Sequence, residues 1–340
     1  MKQAVMTAPG KIEFSDVDRP RPKDNEVIMQ TCRIGVCGSD IHVYHGLHPY
    51  TGYPVVQGHE VGGVVAELGK NVTGLKVGDK ITFLPQVTCG VCYPCTHGMY
   101  HICESLKVMG FQTGGAAQEY FTLPAENVVK LPDSVSLDEA AMIEPIAVTV
   151  HALERGGGAA GKRVVVLGAG PIGNLTAQVA KAAGAKAVMI TDISPYKLDK
   201  ARECGIQYVV NTQHENLGEA ILREFGPEKA DLILECVGVE QTMTDAVNYA
   251  RKGSTIVVVG VFGKKPEVDL GLVQDRELSL VGTLMYQRAD YERAVELVAS
   301  GKMVLDKMIT HRFPFADYLD AYHAIEAAHG NYLKVMIELA

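Results

Sequence analysis

Apolar and polar positions alternate in two different textures along the chain. From residue 1 to about 130 there are short β-like runs broken by Gly and Pro, such as NEVIMQTCRIGV, VGGVVAELG, DKITFLPQ and AAQEYFTLP. Runs of this length and spacing predict a small barrel or sandwich with long loops. PDSVSLDEAAMIEPIAVTVHALERGG comes next. Ser136 and Glu139 form a capping-box pair that opens a helix. Pro145 disfavours helical geometry at Glu144, which predicts a break there, a second helix starting at Pro145, and Glu144 in the kink between them.

From residue 160 the pattern changes to buried-type strands: KRVVVLG, AKAVMITD, QYVVN, ADLILECVG, STIVVVG and LSLVGTLM. Amphipathic stretches such as NLTAQVAKAAG and YKLDKARECG separate most of them. Strand and helix in alternation predict an α/β fold with a doubly wound parallel sheet. LSLVGTLM, the last strand, is expected at the sheet edge. The tail from Asp290 alternates helix and strand again.

Composition adjusts this picture in a few places. The chain of 340 residues suits two domains. A formal charge of −8 without a dense Lys/Arg block argues against nucleic acid or an anionic membrane as partner. No apolar run approaches the roughly 18–20 residues of a spanning helix. The start, MKQAVMTAPGKIEF, has no signal-peptide core, so a cytoplasmic, reducing location is expected. In that setting clustered cysteines are more often metal ligands or redox groups than disulfides.

KRVVVLGAGPIG places Gly168, Gly170 and Gly173 directly after a strand and at the start of a helix. The glycines let the backbone turn tightly and approach a pyrophosphate seated on the helix N-terminus. The next strand ends at Asp192, nineteen residues past Gly173. An acid there accepts hydrogen bonds from ribose hydroxyls and repels a 2′-phosphate, which favours NAD over NADP.

Cys89, Cys92, Cys95 and Cys103 are spaced C-x2-C-x2-C-x7-C on a turn-rich loop. A redox pair needs only two of them, and no helix signal follows to lower a thiol pKa. Four thiolates on such a loop read as a zinc cage. A closed shell leaves no position for substrate, so this zinc is expected to be structural. A second set is scattered: Cys37, His59, Glu60 and Glu144 offer a thiolate, an imidazole and carboxylates. That donor set suits an open zinc site, but spacing alone leaves convergence open.

Taken together, these motifs resemble the zinc-dependent medium-chain alcohol dehydrogenase family along essentially the whole chain. Gly58 to Val72 fits the family's zinc signature G-H-E-x2-G-x5-G-x2-V at every fixed position. Where simple alcohol dehydrogenases of the family place a cysteine, this chain has Glu144, as in the polyol (sorbitol-like) and threonine dehydrogenase branches. The resemblance implies two zinc ions per chain. Cys37, His59 and Glu60 would hold the catalytic one, with Glu144 acting directly or through water, and the four-cysteine loop the structural one. Asp40 would orient His59, and Ser39 and His42 would form a proton relay. Beside the glycines and Asp192, the implied cofactor contacts are Pro171, Ile172, Lys197, Val237, Gly238, Val259 and Gly260. A mostly-β GroES-like catalytic domain (1–150 plus 288–340) would enclose an inserted Rossmann domain (151–287), in a homodimer or homotetramer.

The implied reaction transfers a hydride from a secondary alcohol of a polyol, sugar alcohol or sugar acid to NAD. Threonine and vicinal diols such as butanediol remain alternatives. Sorbitol-type enzymes carry an Arg-Tyr pair after the last Rossmann strand, and here Met285 stands before Tyr286. The loop VYHGLHPYTGYP, with Tyr44, His45, His48 and Tyr50, reads either as a substrate-facing surface or as an ordinary lid loop. Two rivals are weaker. A zinc-free quinone reductase has no use for Cys37 and His59, and a nucleic-acid-binding zinc ribbon fits neither the charge nor the glycine turn.

Overall fold

The computed structural model describes residues 1–339. The chain divides into two compact units. One comprises Met1–Glu144, Gln287–Ala299 and the residues from Ile309 onward; the other comprises Pro145–Tyr286 and Ser300–Met308.

The first unit is built on a seven-stranded sheet. Its strands lie in the order Ile309–Pro314, Lys334–Glu338, Glu26–Val36, Glu60–Leu68, Lys80–Phe83 and Val128–Lys130, and Tyr120–Pro124 pairs with the first half of Glu26–Val36. Val27, Met29, Ile34, Val61, Val65, Ile81, Phe83, Val335 and Ile337 of these strands share one core. Register decides what meets at the sheet end: Gly35 lies opposite Glu60, and Val335 opposite Val36. The C-terminal strand thus brings Lys334 to the point where Glu26–Val36 runs out into Cys37. The cysteine loop is held to this unit by Gln287, whose Nε2 donates to Gly98 O at 3.1 Å, and by Arg288 N–H, which donates to the Tyr100 hydroxyl at 2.7 Å.

The second unit carries six parallel strands in the order Tyr208–Asn211, Ala187–Asp192, Arg163–Leu167, Leu232–Glu235, Thr255–Val258 and Ser279–Gly282. This is the doubly wound order, reversing direction between the first and fourth strands in sequence, where such sheets bind dinucleotides. Ser279–Gly282 stands at the edge as expected, and most of it is exposed.

Two expectations need correction. The chain does not break at Glu144. One helix, Leu137–Arg155, runs through with Pro145 inside it, and Ser136 and Glu139 cap its start reciprocally. Pro145 removes one backbone donor, but residues 140–147 are all buried. Packing of that apolar stretch outweighs the local bias against helix before proline. The division between the units falls within this helix, at Glu144 and Pro145. Ser300–Met308, expected in the catalytic domain, groups with the parallel-sheet unit. Gln178 accounts for this: its Oε1 accepts from Val304 N–H at 2.7 Å and its Nε2 donates to Val304 O at 3.3 Å, while Met303, Leu305 and Met308 are buried.

Asp138, in the first turn of Leu137–Arg155, joins two strands of the sheet. It accepts from Arg33 Nε at 2.8 Å and from Arg312 Nη2 at 2.6 Å. Burial pushes the carboxyl up, but the two arginines outweigh it and hold it below its ordinary value. A depressed folded pKa gives stability that is present above the unfolded pKa and lost as pH falls through the folded one. Asp138→Asn is therefore expected to lower the urea midpoint at pH 7 by the equivalent of about 1 kcal/mol. It should also flatten the loss of stability below about pH 4. Parallel midpoint-versus-pH curves for variant and wild type would rule this out.

Candidate metal centre and dinucleotide turn

Cys37 ends the strand Glu26–Val36 and is the N-cap of the short helix Gly38–Tyr44. Glu60 opens the neighbouring strand Glu60–Leu68, and His59 directly precedes it. Adjacent strands thus deliver ligands 22 residues apart in sequence to one point. Donor atoms of Cys37, His59 and Glu60 lie within 4.8 Å of one another. Glu144 lies outside that set and is buried; its charge reaches both His59 and Lys334. Gly35 makes room, since a Cβ there would come 2.4 Å from Glu60 Oε2.

The surroundings of this cluster are rich in buried acids. His59 Nδ1 is buried, has no hydrogen-bond partner, and faces Asp40 Oδ1 at 3.6 Å. Burial pulls the imidazole pKa down, yet Asp40, Cys37 and Glu144 outweigh it and hold the ring well above its ordinary value. Burial pushes Asp40 up, while His59 and the Cys37 N–H, donated at 2.9 Å, pull against it. Lys334 Nζ, almost fully buried, donates to Glu60 Oε2 at 2.5 Å and to Val36 O at 3.3 Å. A cysteine sulfur, two buried carboxyl groups and an imidazole facing a third acid make a soft-and-hard donor set that suits zinc. With Nδ1 turned to Asp40, Nε2 is left for the metal.

Ser39 and His42, both on Gly38–Tyr44, are half-buried and exposed respectively. Three residues apart, they share one face of the helix. The loop after it packs back toward the cluster: His48 stacks on Phe111 at 5.0 Å, and Phe111 lies 4.8 Å from the His59 ring. Met285 adopts a left-handed backbone at φ 53°, and Tyr286 is fully buried.

The second cluster is compact. Cys89 Sγ and Cys95 Sγ are 4.0 Å apart, Cys92 Sγ and Cys103 Sγ 3.8 Å, and all four lie within 4.8 Å of one another. Zn–S bonds of about 2.3 Å in a tetrahedron require sulfurs about 3.8 Å apart, so the loop fits the ion. Backbone N–H groups of Val91 and Cys92 lower the Cys89 thiol to about 6, whereas burial and the neighbouring sulfurs raise Cys95 to about 12. Four thiols this close do not all ionise without a cation between them. A helix does follow Cys92, contrary to expectation: Tyr93–Thr96, favoured by proline in its first turn. It is a single turn.

In the parallel-sheet unit, Gly170 caps the helix Pro171–Ala182, with Pro171 and Ile172 in its first turn. Gly173 is required by contact, because a Cβ there would stand 1.8 Å from Gly168 O. Asp192, the expected ribose contact, already has partners in the protein. Its Oδ2 accepts from Ala169 N–H at 2.8 Å, and its Oδ1 accepts from Ile193 and Ser194 N–H at 2.8 and 2.9 Å. It thereby ties the glycine turn to the next strand. Lys197 lies in the first turn of Pro195–Glu203, where its N–H is capped by Ser194.

Sequence reasoning missed Glu235. Its Oε1 accepts from Val237 and Gly238 N–H and from the Thr242 hydroxyl. Its backbone carbonyl accepts from Val259 and Gly260 N–H. One buried acid therefore shapes both turns that carry the expected contacts Val237, Gly238, Val259 and Gly260. Lys334, Gln57 and Tyr322 were also missed.

Residues 23–133 match the alcohol dehydrogenase GroES-like domain, and residues 171–300 the zinc-binding dehydrogenase domain. L-galactonate-5-dehydrogenase of Escherichia coli is 33% identical over 95% of this chain and 94% of its own length. Sorbitol dehydrogenase of Halalkalibacterium halodurans is 36% identical over 99% of each chain. A zinc-binding dehydrogenase of Sinorhizobium meliloti, solved bound to NADP, superposes with a TM-score of 0.93 at 31% identity over 99% of both chains. Similarity of this degree along both units makes the chain a member of the zinc-type medium-chain dehydrogenase family.

Proposed function

We propose that the protein oxidises a secondary alcohol of a polyol, sugar alcohol or sugar acid with NAD, using a zinc ion held by Cys37, His59 and Glu60 with Glu144 nearby. The observation that carries this reading is the convergence of those three donors, Cys37 half-buried and His59 and Glu60 buried, within 4.8 Å of one another. When bound, zinc supplies a Lewis acid for the alcohol oxygen and the nicotinamide supplies the hydride acceptor. Asp40 holds His59 in orientation, and Lys334 offsets the charge of Glu60. Ser39 takes the hydroxyl proton, and His42, exposed on the same helix face, passes it to solvent. Gly168, Gly170, Gly173, Pro171 and Ile172 cradle the pyrophosphate. Asp192 keeps one lone-pair site for the ribose and disfavours a 2′-phosphate.

The polyol reading is supported by the galactonate and sorbitol relatives and by the polar, aromatic loop around His48. Without an arginine at Met285, hydroxyl recognition falls to that loop. The exposed edge strand Ser279–Gly282 supports a homo-oligomer, since an unpaired edge invites pairing. Clustered cysteines that serve as metal ligands rather than disulfides suit a reducing, cytoplasmic compartment. Among the described residues, no helix is long and apolar enough to cross a membrane.

Zinc content and NAD reduction over a panel of polyols, sugar acids and amino alcohols test the whole reading. Cys37→Ser and His59→Ala should take zinc from two to one per chain and turnover to background. A fully active wild type with one zinc would refute the catalytic assignment. Cys92→Ser should also leave one zinc, but its main effect should be a lower melting temperature, and unchanged melting would show that the cage is not structural. His48→Ala should raise KM for a polyol several-fold with little change in kcat, and leave a simple secondary alcohol unaffected; equal effects on both substrates would remove His48 from recognition.

A further inference from the structure

A buried hydrogen-bond chain runs outward from the metal cluster. Asp40 faces His59 Nδ1 with Oδ1 and accepts the Cys37 N–H on Oδ2. The same Oδ1 accepts from Gln57 Nε2 at 3.1 Å, and Gln57 Nε2 also lies 3.3 Å from Asp40 O. Gln57 Oε1 in turn accepts from the Tyr322 hydroxyl at 2.7 Å. Asp40, Gln57 and Tyr322 are each no more than 2% exposed. Tyr322 lies on the helix Tyr318–Ala327, 265 residues beyond Gln57 in sequence.

The polarity of this chain is dictated by chemistry. A carboxylate accepts and does not donate, so Gln57 must turn its NH₂ toward Asp40. Its carbonyl oxygen then points away and needs a donor, which the Tyr322 hydroxyl supplies. Burial holds that hydroxyl well above its ordinary range, so it keeps its proton. Without Tyr322 the amide oxygen would be buried and unpaired, and Asp40 alone would be left to hold the amide in its orientation. With the amide reversed, a carbonyl oxygen would face the Asp40 carboxylate.

We propose that Gln57 and Tyr322 are positioning residues of the metal centre. Tyr322 orients the Gln57 amide, the amide holds the Asp40 carboxylate, and Asp40 keeps His59 turned with Nδ1 inward and Nε2 toward the ion. This rests on the reading that Cys37, His59 and Glu60 bind zinc. Asp40 is in contact with both Cys37 and His59, so loosening it disturbs two of the three donors together.

The test is a chelator titration of zinc-loaded protein, with a metal-indicator dye reporting release and the cysteine cage serving as internal control. Tyr322→Phe removes a single oxygen and Gln57→Leu keeps nearly the same volume, so both are expected to fold. Each should weaken the Cys37–His59–Glu60 site by about 10-fold or more, the range typical of outer-shell partners, while the cage holds its zinc as in wild type. The double variant should be no weaker than Gln57→Leu alone, because both changes break the same chain. A purely structural role predicts a lower melting temperature with unchanged zinc affinity well below the melt, and that result, or additive losses in the double variant, would overturn the proposal. A wild-type chain carrying only one zinc would instead overturn the metal reading itself, and this proposal with it.

Discussion

Several anionic groups and an imidazole are buried together at the end of one β-sheet, and this electrostatic constraint organises the catalytic unit. Like charges at roughly 4 Å repel by about 4 kcal/mol at an effective dielectric of 20. Buried acids such as Glu60, Asp40 and Glu144 are therefore stable in their charged form only with compensating cations. Lys334 is one, delivered by the last strand and itself buried against Glu60. His59 is drawn toward its charged form by the same field. A divalent ion held by Cys37, His59 and Glu60 would supply positive charge there without requiring the imidazole to be protonated. The pairing of Lys334–Glu338 with Glu26–Val36 is thus an electrostatic requirement of the site as well as an element of the fold.

The two thiolate-bearing clusters answer different needs. In the cysteine loop all four donors lie within fifteen residues, so local turns and backbone N–H groups suffice to bring them together. That lobe has little apolar core of its own, and a structural zinc can supply folding free energy directly. The second cluster draws its donors from two strands and a helix, which only the folded sheet brings into register. Its donor set is not closed by further thiolates: Phe111 packs on the His59 ring and His48 stacks on Phe111.

The dinucleotide unit uses its acids economically. Asp192 holds the glycine turn and Glu235 holds the turns after two further strands, so both act on backbone N–H groups before any ligand arrives. Such prepaid order reduces what binding must spend on loop immobilisation.

Much of this was legible from the sequence, for reasons that are local. Periodicity revealed the parallel strands, because the central ones, Arg163–Leu167, Ala187–Asp192 and Leu232–Glu235, are buried on both faces and read as continuous apolar runs. The C-x2-C-x2-C-x7-C loop and the glycine turn are contiguous, so spacing alone states their geometry. At Pro145 local rules failed, because the preference against helix before proline is weaker than the packing of a buried apolar stretch. Lys334, Gln57, Tyr322 and Glu235 were invisible for a different reason. Each matters through a partner far away in sequence, and only strand register and helix packing decide that the lysine meets Glu60 or that the tyrosine reaches Gln57. The sequence by itself determined which donors and turns exist; the tertiary structure decided which of them share a buried volume, where charge must be balanced group by group.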